Sequence, residues 1–475
     1  MGDLSTSTVE AGSFRDPLSS VFRYEGRVFR QFSKAGLERF SIANETGLLD
    51  ELVAEKKLVG FRIVANGEVP LPETSDDVSA VYEHDKLPLI SYPYEWAFET
   101  LKAAALFHLD LNLRALDRGV QLTDATAYNV QFSGSKPIFI DHGAFEPYQE
   151  GMPWIAHKQF CEQFLNPLLL QAYRNIGFSE WYRGRLEGIA TSDLASLLPL
   201  RAKLRPAILT HVVLPAYFDR KAVRAKPSPK AAKGKEFKLP KSGLVGLLTG
   251  LRKFIDGLSL PGGHTVWGDY ATDNSYSSDE AEKKRGNVAE FASAYRPGVF
   301  LDIGCNSGAY SAVMLDNGAD FGVGLEFDAG ALNGAFMRAT AESMNFIPLY
   351  QNLANPSPAQ GWDASERGAL TDRLFADAIV ALAVIHHLVI GCNVPMERAL
   401  GWLIERAPRG IIEFVPTEDP MVQTLLAGRR GLAHPYSEEL FNTVLKSKAA
   451  VVKSEVVSQT GRRLVWYERS DSGEL

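Results

Sequence analysis

The chain of 475 residues is 45% hydrophobic and 23% charged, the balance of an ordinary globular protein with room for two or three domains. That excludes a disordered, collagen-like or coiled-coil chain. Fifty Lys and Arg against 57 Asp and Glu leave a net charge of −7, which argues against a chain-wide nucleic-acid binder, though not against a local basic patch.

Cys161, Cys305 and Cys392 lie far apart, with neither a disulfide framework nor a metal-ligand spacing among them. No apolar run reaches the roughly 18 residues of a membrane span, and the N-terminus is polar and carries acids. These features predict a cytoplasmic protein with no bound metal.

In chain order, the first long signal is Trp96 to Leu116, apolar at helical spacing. Leu122-Thr123-Asp124-Ala125-Thr126-Ala127-Tyr128-Asn129-Val130 follows, with Asp and Asn five apart. The chain turns at Ser133-Gly134-Ser135, and the strand Pro137-Ile138-Phe139-Ile140 ends in Asp141-His142-Gly143. This spacing puts Asp124, Asn129 and Asp141 at one end of a hairpin, although such residues also simply cap turns. The constellation resembles the catalytic loop and metal-binding Asp of kinase-like phosphotransferases. There the first Asp accepts the acceptor's hydroxyl proton, and the Asn and second Asp hold Mg²⁺. The resemblance implies an N-terminal α+β kinase-like domain over residues 1–219, with Ile90-Ser91-Tyr92-Pro93-Tyr94 as its hinge.

The departures from that family are specific. Leu122-Thr123 stand in place of His-Arg. No glycine-rich phosphate loop is present, only Gly26 in Tyr24-Glu25-Gly26-Arg27-Val28-Phe29-Arg30. No Val-Ala-x-Lys strand is present either, which leaves Arg30 or Lys34 to reach a phosphate and Glu45 or Glu51 to pair with it. The reading is a degenerate domain serving substrate recognition.

Between Arg220 and Lys241 stand nine Lys or Arg and one Glu, with Pro227, Pro229 and Pro240 among them. Such a stretch cannot bury enough apolar surface to order itself, so residues 220–258 begin as a solvated tether. The tether leads into an amphipathic helix through Leu244-Val245-Gly246-Leu247-Leu248, then Leu251, Phe254, Ile255 and Leu258, predicted to dock on the domain that follows.

The second half, residues 259–475, opens with Trp267, Tyr270, Ser275-Tyr276 and Lys283 or Lys284. These read as a segment covering a cationic ligand with aromatic faces, or as packing. Val299-Phe300-Leu301, the turn Asp302-Ile303-Gly304-Cys305-Asn306-Ser307-Gly308, and helical spacing through Tyr310, Val313 and Met314 form a strand, glycine turn and helix. In an open parallel sheet this turn lies where ligands bind. The next strand, Phe321 to Leu325, ends in Glu326, about 20 residues past the turn and placed to accept both ribose hydroxyls. The turn departs from Gly-x-Gly-x-x-Gly and carries an acid where a pyrophosphate would be repelled and an ammonium welcomed. It fits a cationic, phosphate-free nucleoside better than NAD.

Leu301 to Gly308 resembles the first motif of class I S-adenosylmethionine-dependent methyltransferases. The later landmarks match in order. Asn352 sits where an Asp usually contacts adenine. Asp377 to Ala383 reads as the fourth strand, leading into Val384-Ile385-His386-His387-Leu388. Ile411 to Pro416 reads as the fifth, and Val451 to Val457 with Arg463 to Tyr467 as a closing antiparallel pair. The resemblance implies a doubly wound, Rossmann-like α/β domain with a seven-stranded mixed sheet. It also implies an S-adenosyl-L-methionine site built from Asp302, Gly304, Cys305, Asn306, Gly308, Glu326, Asn352, Tyr270 and Tyr276. His386 and His387 are candidate bases. Glu413 and Asp419 are candidate acceptor contacts, or solvated or salt-bridged carboxylates.

More narrowly, Asn355-Pro356-Ser357-Pro358-Ala359-Gln360-Gly361-Trp362, Glu413-Phe414-Val415-Pro416 and Asp419-Pro420-Met421-Val422-Gln423 resemble the NoeA-like nodulation-protein methyltransferases. In the first half, Gln159 to Leu169 has the same look. That likeness implies a glycan or other small-molecule acceptor. The alternatives are a bifunctional kinase–methyltransferase and a non-catalytic S-adenosylmethionine-binding protein.

Overall fold

The computed structural model describes residues 6–73, 77–224, 238–261, 278–427 and 434–469. The chain divides into two units. The first comprises Met1–Phe132, Pro137–Gly262 and Ala359–Arg367; the second comprises Ser133–Lys136, Gly263–Pro358 and Gly368–Leu475. No helix among the described residues is long and apolar enough to cross a membrane.

The first unit is α+β. Strands β1 (Thr8–Val9), β2 (Ser19–Tyr24), β3 (Arg27–Phe32), β4 (Phe61–Ile63) and β5 (Ala80–His84) form an antiparallel sheet in the order β1-β2-β3-β5-β4. Helices α1 (Lys34–Glu45) and α2 (Leu48–Ala54) lie between β3 and β4 in sequence. Phe22 and Phe29 pair across β2 and β3 and stack 5.2 Å apart, anchoring one face of the sheet. Helix α3 (Phe98–Asp117) falls within two residues of the predicted span and is buried on most of its faces. Short pairs then follow: β6 (Val120–Leu122) with β9 (Phe145–Pro147), and β7 (Val130–Ser133) with β8 (Lys136–Phe139).

Two boundary expectations are corrected. The amphipathic helix, Lys241–Asp256, packs within the first unit and not on the following domain. Its stripe of Leu244, Leu248, Leu251 and Ile255 is fully buried. Arg252 donates to both oxygens of Asp110 on α3, at 2.5 and 3.0 Å, and Lys102 Nζ donates to the carbonyl of Leu258 at 2.8 Å. Residues 225–237 of the basic stretch lie outside the described residues. The second correction concerns Ala359–Arg367, which belongs to the first unit. Arg15 binds Glu366 through two nitrogens at 2.6 and 2.9 Å, and the Arg367 guanidinium lies 4.4 Å from the Tyr128 ring centroid.

The second unit carries the expected seven-stranded mixed sheet. Its strands are β10 (Val299–Ile303), β11 (Phe321–Glu326), β12 (Phe346–Tyr350), β13 (Ala378–Ala381), β14 (Arg409–Phe414), β15 (Ala450–Val456) and β16 (Arg463–Glu468). The order is β12-β11-β10-β13-β14-β16-β15. The strands from β12 to β14 run parallel, and β16 runs antiparallel to both neighbours. Strand β11 is buried along its whole length, as a central parallel strand covered on both faces must be. A Cβ at Gly324 would lie 2.5 Å from Cζ of Phe346, so glycine there lets the ring cross the strand. Strand β10 pairs with β11 on one side and β13 on the other, and the winding reverses there. Ligand crevices open at the carboxyl ends of strands at such a switch.

Candidate functional site

In the second unit, the turn after β10 is set by Gly304 and Gly308, at φ +68° and +72°. At Gly304 the turn needs the left-handed conformation that favours glycine, and a Cβ there would press on Val384 Cγ2 at 3.0 Å. The Gly304 N–H donates to the Leu325 carbonyl at 2.8 Å, tying the turn to the end of β11. Asn306 also adopts positive φ, at 47°, and Cys305 is buried beneath the turn.

Glu326 ends β11 and is almost wholly buried. One carboxylate oxygen accepts from Asn306 N–H at 2.9 Å; the other accepts from Phe327 and Asp328 N–H at 2.8 and 2.9 Å. Burial raises its pKa against the opposing pull of those amides.

Asp302 differs from its expected role. It is buried under the turn, and Ser311 Oγ donates to it at 2.6 Å. Burial pushes its pKa up to about 7, with Ser311 opposing and Glu326 adding to the rise. The acid that reads as a welcome for an ammonium therefore acts from below the turn, within a hydrogen bond, and is only partly ionised at neutral pH. Asn352, just past β12, is exposed, and its Oδ1 accepts from Ala354 N–H at 3.0 Å. The carbonyl expected to meet an adenine amine is thus engaged with the chain's own loop. Tyr270, Tyr276 and Trp267 lie outside the described residues.

Past β13, Ala383 adopts φ 55° and turns the chain into His386 and His387, whose rings meet at a tilt of 39° with centroids 4.2 Å apart. Burial lowers both pKa values. For His386, well below its ordinary value, His387, Arg462 and Lys284 reinforce the effect; for His387, Arg462 does. Both are neutral bases at pH 7. His386 is closed off, whereas His387 is partly exposed.

Glu413 is fully buried, and Lys284 Nζ lies 2.6 Å from it. Lys284, on the helix Ser278–Tyr295, is therefore a buried ion-pair partner and not part of a covering segment. Arg462 stands 3.7 Å from Glu413 and binds both oxygens of Asp419 at 2.6 and 2.9 Å. Burial alone would raise Asp419, but Arg462 outweighs it and holds the carboxyl below its ordinary value. Two acids and two cations thus form a buried quartet, with Glu413 engaged as a salt-bridged carboxylate. Arg462 gave no sequence signal, because only the closing hairpin brings it back to β14.

In the first unit, Asp124, Asn129 and Asp141 come together as predicted. Asn129 Nδ2 donates to both Asp124 and Asp141 at 3.1 Å each. Gln159, unforeseen, donates to Asp124 at 2.7 Å. Asp141 also accepts from Gly143 N–H at 3.0 Å and lies 2.9 Å from Nη1 of Arg30 on β3. Burial, then the charge of Asp141, raises the pKa of Asp124. Arg30 pairs with neither Glu45 nor Glu51; Glu51 instead meets Arg114 and Arg118.

The expectation of no metal cluster also meets a contrary geometry. His157, Cys161 and His211 bring three ligand atoms within 4.8 Å of one another. Reading cysteine spacing alone missed them, because the partners are histidines.

No protein-family model matches the chain. The nodulation protein NoeA of Rhizobium meliloti (strain 1021) is 42% identical over 463 residues, covering 97% of this chain and 96% of that protein. Among solved structures, magnesium protoporphyrin IX methyltransferase (ChlM) of Synechocystis PCC 6803, with bound SAH, is 18% identical. The match covers 47% of this chain and 94% of that one, with a TM-score of 0.31. The N-methyltransferase NodS of Bradyrhizobium japonicum WM9 is 13% identical, with 41% of this chain and 98% of that one covered and a TM-score of 0.31.

Proposed function

The chain belongs to the family of the nodulation protein NoeA, and we propose that it is an S-adenosylmethionine-dependent methyltransferase acting on a glycan or other small-molecule acceptor. The observation that carries this reading is the Glu326 carboxylate. It is buried at the end of β11, fixed by three backbone N–H groups, and bordered by a turn whose Gly304 holds the left-handed conformation that favours glycine. Such a cradle fits a nucleoside without phosphates.

When bound, the cofactor supplies an activated methyl group on a positively charged sulfur. The chain's own residues hold and orient. Glu326 accepts from ribose hydroxyls, Gly304 and Gly308 let a ligand approach the backbone, and Asn352 borders the base through its Nδ2 donors. Asp302 braces the turn through Ser311. His387, neutral and partly exposed, takes a proton from an acceptor that has one to lose; His386 packs behind it. The quartet of Glu413, Lys284, Arg462 and Asp419 fixes the carboxyl end of β14 and is assigned a positioning role. Alignment and exclusion of water are the protein's main contributions to such a displacement.

Calorimetry of the full chain tests this. S-adenosylmethionine should bind saturably and lose its heat in Glu326→Ala, while NADH should give none. NADH binding with no heat from the sulfonium compound would overturn the reading.

A second reading is a bifunctional kinase–methyltransferase. The linked set of Asp124, Asn129, Asp141 and Arg30 favours it, because it combines the residue types and spacing of a phosphotransfer site. Mg²⁺-dependent ATP turnover abolished by Asp141→Ala would promote it. No turnover would leave the first unit as a substrate-recognition domain.

A further inference from the structure

We propose that His157, Cys161 and His211 bind Zn²⁺ in the first unit, with water completing a four-coordinate site. This inference does not depend on the methyltransferase reading. His157 opens the short helix His157–Phe160, and Cys161 follows four residues later, so both side chains share one face. His211 comes from a separate segment. His157 Nε2 lies 2.8 Å from His211 Nδ1, and Cys161 Sγ lies 3.6 Å from His157 Nε2.

These separations can be set against a tetrahedral zinc site. Bonds of about 2.0–2.1 Å to nitrogen and about 2.3 Å to sulfur give edges of roughly 3.3 Å between nitrogens and roughly 3.6 Å between nitrogen and sulfur. The Cys161–His157 edge already has that length, and the Cys161–His211 edge lies within 4.8 Å. The nitrogen pair needs to open by only about half an ångström, and in the metal-free protein the same pair is held by a shared hydrogen.

The backbone supports the assignment independently. Cys161 begins a π-helical turn, Cys161–Leu165, and His211 sits inside another, Leu209–Val213. Such turns disturb regular helix and recur at functional sites, and here the two supply two of the three ligands. Cys161 and His211 are buried while His157 is partly exposed, so the cluster borders solvent on the His157 side. One thiolate and two imidazoles form a donor set suited to zinc and poorly suited to Mg²⁺ or Ca²⁺.

The test uses the full chain after chelator treatment, titrated with Co²⁺ as a spectroscopic stand-in and then with Zn²⁺ in competition. The expected result is a thiolate-to-cobalt charge-transfer band that Zn²⁺ bleaches at one equivalent. Cys161→Ser should lose the band, and Cys161→Ser and His211→Ala should each weaken Zn²⁺ binding by at least about tenfold. Absence of the band in the wild-type protein would overturn the proposal, and so would unchanged Zn²⁺ affinity in both variants. The wild-type spectrum decides the matter even where a variant does not fold.

Discussion

Glu326 in the second unit is held differently from Asp124 and Asp141 in the first. In the second, the partners of the Glu326 carboxylate among the described residues are three backbone N–H groups, which orient it. In the first, Asp124 and Asp141 are already met by side chains: Asn129 bridges them, Gln159 takes Asp124, and Arg30 faces Asp141. A carboxylate fixed by backbone is ready for an incoming hydroxyl. A carboxylate engaged by neighbouring side chains must first give them up before it can hold a metal or a proton donor. The contrast makes the second unit the better binding site as it stands.

The largest expected effect is on the buried quartet. Glu413→Ala takes away the carboxylate that faces Lys284 at a buried position, and removing one partner of a buried pair costs about 3–5 kcal/mol. Urea unfolding should show that loss. A change below about 1 kcal/mol would mean that Lys284 reaches water and that the quartet does not hold β14.

Asp302 comes next, through pH. Its pKa in the folded chain is about 7, raised from the ordinary carboxylate value. The folded state therefore keeps a proton that the unfolded chain gives up at lower pH. Stability from this group is complete below about pH 4 and is lost as pH rises towards 7, at about 1.4 kcal/mol for each pH unit crossed and a few kcal/mol at most. Asp302→Asn can still accept from Ser311 and has no proton to lose, so its unfolding should lack this slope between about pH 4 and 7. A wild-type slope equal to the variant's would place Asp302 in a wetter setting.

Glu326→Ala probes the contrast directly. Losing two hydrogen bonds to a charged acceptor should weaken S-adenosylmethionine binding about a hundredfold. Asp141→Ala should leave that affinity unchanged. Equal losses from the two would erase the distinction between the units.

What was legible in the sequence follows the same division. The turn after β10 and the acid ending β11 could be read because strand, glycines, helix and carboxylate fall within one short stretch. Asp124, Asn129 and Asp141 could be read for the same reason. The partners of Glu413 could not, since Lys284 precedes the first strand of the sheet and Arg462 follows the last crossover. The stripe on Lys241–Asp256 announced that one face is buried, but amphipathicity names no neighbour; the stripe is buried within the first unit, where Arg252 also meets Asp110 on α3. The exposed Asn352 and the buried Asp302 show a further limit: a motif fixes which residue stands at a position, whereas the hydrogen bond made by its side chain depends on the fold around it.

The smallest expected effect belongs to Arg30. Its side chain is 11% exposed and that of Asp141 is 18% exposed, so the pair is partly screened by water. Arg30 also donates to Ser19 at 2.9 Å, and Asp141 keeps its bonds from Asn129 and Gly143 when the guanidinium goes. Arg30→Met should therefore cost only about 1 kcal/mol, well below the Glu413 variant. The informative readout is Mg²⁺. With Arg30 gone, Asp141 regains an uncompensated charge, and the variant should take up Mg²⁺ more tightly than the wild type if the cation is what keeps this site shut. Unchanged Mg²⁺ affinity would move the block to Asn129, whose amide donates to both acids at once, and would make the first unit closed by the build of its loop instead of by a single charge.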